Sequence, residues 1–126
     1  MNLKYPNSEV EFKVTPSFFL GGFNVYDREE TLENKLNAYN PNDSQQIKEL
    51  MQRYFFNTTR IESLGPMHRE ELKNALLKAL ASPDYDFTSL LKDNDEKCFY
   101  LPSEWNIENP RRFFEVIYKT LNETWS

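Results

Sequence analysis

An α+β domain is what the sequence predicts, on three observations. Val10, Phe12 and Val14 alternate with Glu9, Glu11 and Lys13, which is the period of a strand with one buried face. Later segments carry apolar residues at i, i+3, i+4 and i+7, which is the period of a helix with one buried stripe. The strand signals come first and the helices follow in a run, the order that separates α+β from α/β folds. A length of 126 residues suits one domain with a core of its own. The expectation is therefore a single domain over 1–126. It has a small N-terminal antiparallel unit of two or three strands, packed with four or five α-helices.

The elements follow in chain order. Thr15-Pro16-Ser17 breaks the first strand, and FFLGGFNVY supplies a second β-rich run. Gly21-Gly22 inside that run reads as a bulge or a tight turn, because glycine takes positive φ without penalty. DREETLENKLNAY has acidic residues in its first turn, where the helix dipole favours them, and Leu32, Leu36 and Tyr39 on one face. Asn40-Pro41 ends that helix. Asp43 and Gln46 have capping-box spacing, and Ile47, Leu50, Met51, Tyr54 and Phe55 form the stripe behind them.

Gly65-Pro66 opens the next helix, with Pro66 near its first position. Its stripe is Leu72, Ala75, Leu76, Ala79 and Leu80, widened by Leu77, which predicts the most buried helix of the protein. Ser82-Pro83 stops it, and FTSLLK makes a further short turn. Cys98 to Leu101 reads as a short strand able to join the N-terminal sheet. Asn109 then caps a last helix with Pro110 at its first position. Phe113, Val116, Ile117, Leu121 and Trp125 trace its buried face, with Phe114 off the stripe.

Composition removes several functions. The single cysteine precludes an internal disulfide and fits a reducing compartment. MNLKYPNSEVEF has no apolar run of signal-peptide type, and no uncharged apolar segment approaches the roughly 20 residues of a membrane span. The expected location is cytoplasmic. A net charge of -5 and a pI near 4.9 argue against direct nucleic-acid binding, which needs Lys and Arg to neutralise phosphates. The same charge suits a basic protein partner. Ten phenylalanines, seven tyrosines and two tryptophans are the compositional outlier: part of the excess must fill the core, and any aromatics left exposed favour an interface.

Each candidate for catalysis fails on spacing or partners. Asp84-Tyr85-Asp86-Phe87-Thr88 has the DxDxT spacing of the haloacid-dehalogenase-like phosphatases. That nucleophile must follow a buried parallel strand, and here it follows KALASP, a helix end. Asp93-Asn94-Asp95-Glu96 begins like a calcium loop, but Lys97 takes the fifth position and Cys98 stands where glycine is required. His68, the only histidine, is expected on a helix surface, with no nucleophile beside it. Cys98 lies among apolar residues with only Lys97 to lower its pKa. No phosphate-binding glycine loop and no metal-ligand spacing occurs, so neither cofactor nor metal is expected.

A non-enzymatic, protein-binding module is the reading that remains. Its sharpest form is a small acidic inhibitor of bacterial immunity or antitoxin type, covering the active site of a basic toxin such as a nuclease. The acidic stretch Asp84, Asp86, Asp93, Asp95 and Glu96 would dock the partner, with Tyr85 as anchor and Phe87 and Tyr100 as further aromatic candidates. The chain is expected to be a monomer or a weak homodimer. The second reading is a small enzyme or ligand-binding domain with an anion site at Arg111 and Arg112, lined by Tyr26, Tyr100 or Trp105. Those arginines fall in the first turn of the last helix, the wrong end for cations, so an anion is expected beside them. Glu104 and Glu108 are the nearest candidates from the chain itself.

Overall fold

The structure is a computed structural model, and it describes Lys4 and residues 16–26, 29–93, 99–102 and 105–125. The predicted strand over 9–14 and the residue Cys98 lie outside these. Among the described residues the chain is mostly helical and forms no sheet; only Lys4 and Phe99 take part in isolated bridges. The α+β expectation is overturned.

The second predicted strand fails for a readable reason. Pro16–Phe23 is a 3-10 helix, and Phe19, Leu20 and Phe23 are all fully buried. A run apolar on every side matches a buried helical turn as well as a buried strand, because it lacks the alternation that distinguishes them. Gly22 is neither a bulge nor a hairpin turn. It is the point where this helix touches the next layer: a Cβ there would lie 1.9 Å from the Tyr54 carbonyl oxygen. Beyond it, the Val25 N–H donates to the Tyr100 carbonyl at 2.8 Å, and Asn24 Oδ1 accepts from the Tyr26 and Tyr100 N–H groups, each at 3.0 Å. The predicted strand near 98–101 thus meets the 24–26 segment through one backbone hydrogen bond and a side-chain bracket, and among the described residues no ladder extends from it.

The helices follow the apolar spacing closely. A π-helical turn, Glu29–Glu33, runs into α1, Asn34–Asn37. Helix α2, Ser44–Met51, continues into a second π turn, Gln52–Phe56, so that Ile47, Leu50, Met51 and Phe55 all reach the core. Asp43 caps α2, its carboxylate accepting from the Gln45 and Gln46 N–H groups. Only half of the predicted capping box forms, because Gln46 Oε1 accepts instead from the Asn40 N–H at 2.7 Å. Short α3, Thr59–Glu62, leads to α4, Pro66–Leu80, and α5, Phe87–Leu90. Helix α6, Pro110–Thr124, begins as predicted: Asn109 accepts from the Arg112 N–H and Pro110 takes the first position.

The most buried helix is α6, not α4. Helix α4 buries Leu72, Leu76 and Ala79 and leaves Leu77 46% exposed, so Leu77 does not widen the stripe. Helix α6 packs against α2, α4 and α5 at once. Phe113 and Phe114 are consequently both buried, as are Ile117, Thr120 and Leu121. Thr120 sits in this apolar contact because its hydroxyl donates to the Val116 carbonyl at 2.8 Å, which leaves no bare donor. Trp125, just past the helix end, packs tilted against Phe55 and edge-on against Phe56 of the second π turn.

Candidate functional site

Arg111 organises the surface around the end of α4. Its Nη1 donates to the Leu80 carbonyl at 2.9 Å, and its Nη2 to the carbonyls of Ser82 at 2.8 Å and Pro83 at 3.3 Å. Its guanidinium carbon lies 4.9 Å above the Phe87 ring. In place of the expected anion stand backbone carbonyls: that of Leu80, the last residue of α4 and part of the negative end of its dipole, and those of Ser82 and Pro83 in the turn beyond it. A planar fork fits several carbonyls at once, as a lysine ammonium would not. Arg112 takes a different course, reaching Ser44 Oγ at 3.3 Å from an exposed position. Glu108 is not the partner of Arg111, and Glu104 lies outside the described residues.

What Arg111 clamps is a turn that carries acid. Ser82-Pro83-Asp84-Tyr85 closes with the Tyr85 N–H on the Ser82 carbonyl at 3.1 Å, and Pro83 supplies the fixed φ that such turns favour. Asp84 is exposed at its tip. Asp86 begins α5, its Oδ1 accepting from the Ser89 N–H while its own carbonyl accepts from the Ser89 hydroxyl. Tyr85 lies between the two carboxylates, half-buried, with its ring 4.7 Å from that of Phe87. Phe87 in turn stacks on Phe114 of α6 at 4.9 Å. Burial pushes the Tyr85 phenol above its ordinary pKa, so it remains a neutral hydroxyl.

The turn separates two clefts open to solvent. One, of about 630 Å³, is bounded by Pro16, Glu71, Ala75, Lys78, Ala79 and Tyr85. The other, of about 220 Å³, is bounded by Tyr85, Asp86, Thr88, Asn109, Pro110 and Arg111. Tyr85 is common to both. A third cleft, of about 320 Å³, holds Trp105, Asp93, Lys92 and Pro110. Trp105 and Arg111 thus line different clefts. Trp105 is tied down, its Nε1 donating to the Leu36 carbonyl at 2.9 Å, and Tyr26 and Tyr100 face each other at 5.2 Å.

The predicted site residues divide accordingly. Asp84, Tyr85 and Asp86 share one turn. Asp93 stands at the other end of α5, where its Oδ1 accepts from the Leu101 N–H at 3.1 Å and holds the 99–102 segment in place. Asp95 and Glu96 lie outside the described residues. Phe87 is buried in the core and cannot meet a partner. His68 lies in the first turn of α4, partly exposed, and its Nε2 is hydrogen-bonded to the Lys4 carbonyl. Among the described residues no three His, Cys, Asp or Glu side chains gather to hold a metal ion, and no helix is long and apolar enough to cross a membrane.

The clamp itself escapes a reading of the sequence. Arg111 is separated from its carbonyl partners by 28 to 31 positions, and nothing local marks Leu80, Ser82 and Pro83 as acceptors. The only signal is the misplaced cation. No family model matches the chain, and neither a curated protein nor a solved structure matches it significantly.

Proposed function

We propose that this chain is an acidic protein-binding module that inhibits a basic partner in the cytoplasm, in the manner of an immunity or antitoxin protein covering the active site of a cationic nuclease toxin. The observation that carries the reading is the turn at 82–86. It holds two exposed carboxylates and an aromatic ring in a fixed arrangement, secured from behind by Arg111. Such preorganisation reduces the entropy lost on docking, which is a large share of the cost of association. Asp84 and Asp86 offer charge to lysines and arginines that would otherwise meet phosphate, and Tyr85 supplies a rigid apolar body with a polar tip. The overall charge of -5 steers the same encounter. Since Arg111 holds backbone carbonyls, the geometry favours this reading over an anion site.

The test is complex formation with a panel of cationic nuclease toxin domains. The expected result is tight binding at low ionic strength, inhibition of cleavage, and an association rate that falls steeply between roughly 50 and 300 mM salt as charges are screened. Binding indifferent to salt, or absent at low salt, overturns the proposal.

A further inference from the structure

We draw no further inference here: the strongest candidate, the open groove of about 630 Å³ along α4 bounded by Pro16, Ala75, Ala79 and Tyr85, carries nothing because its two charges, Glu71 and Lys78, cancel and nothing in the structure shows what covers it.

Discussion

A cation in the first turn of a helix faces that helix's positive end and costs a few tenths of a kcal/mol. Arg111 more than offsets this with one hydrogen bond to the last carbonyl of α4, two to the turn that follows it, and a contact over Phe87. Hydrogen bonds to a charged group contribute about 1.5 to 3 kcal/mol in mutational series, and Arg111 is partly open to water. Arg111→Ala should therefore cost about 2 kcal/mol of stability in urea unfolding, with Arg111→Lys recovering only part of it. An Ala variant as stable as the parent would show that the clamp contributes nothing. Gly22 offers a second check. A Cβ 1.9 Å from the Tyr54 oxygen forces backbone to move, so Gly22→Ala should destabilise by about 2 kcal/mol or more. Were Gly22→Ala neutral, the 3-10 helix would not sit against the π turn as described.

At the scale of elements, α6 decides the packing. Helices α2, α4 and α6 are legible in the sequence because their apolar positions keep helical spacing and Asp43, Pro66, Asn109 and Pro110 punctuate their starts. The burial of Phe114 is less legible. A single stripe predicts one packed face, whereas α6 is wedged among three helices and buries a wider arc. Phe114→Ala should accordingly cost about 3 to 5 kcal/mol, while Leu77→Gln, on the open face of α4, should stay within about 0.5 kcal/mol of the parent. Thermal unfolding of the two variants checks both, and comparable losses would contradict the assigned faces.

Helices α2 and α6 are also joined by Lys48 and Glu123, 2.7 Å apart and exposed. The hydrogen bond and charge of Lys48 hold the Glu123 carboxyl below its ordinary pKa of 4.5. A depressed folded-state pKa gives a contribution that is present above 4.5 and lost as pH falls through the lower folded value. The stability difference between parent and Glu123→Gln should therefore be visible near neutrality in low salt and vanish in acid. A difference that grew on acidification would contradict the pairing.

For the whole molecule, the sequence separates poorly into strand and helix where apolar residues are continuous. FFLGGF reads equally as a buried strand or a buried 3-10 turn, and only the approach of Tyr54 to Gly22 distinguishes them. The acidic turn was visible as residues, since Asp84, Tyr85 and Asp86 are adjacent. Its rigidity was not, because the group that fixes it comes from α6. Composition and charge bear on the whole chain and motivate the proposal of a basic partner, and the proposed contact is the turn at 82–86.

The most direct measurement of that proposal is the affinity of the Asp84→Lys, Asp86→Asn double variant for a cationic nuclease toxin domain that binds the parent. Asparagine keeps the acceptor that caps α5, and Asp84 is exposed, so the fold should be retained. The expected result is an unchanged unfolding midpoint with binding weakened at least tenfold and a shallower dependence on salt. Parental affinity and salt dependence in the folded double variant would contradict the assignment of this surface.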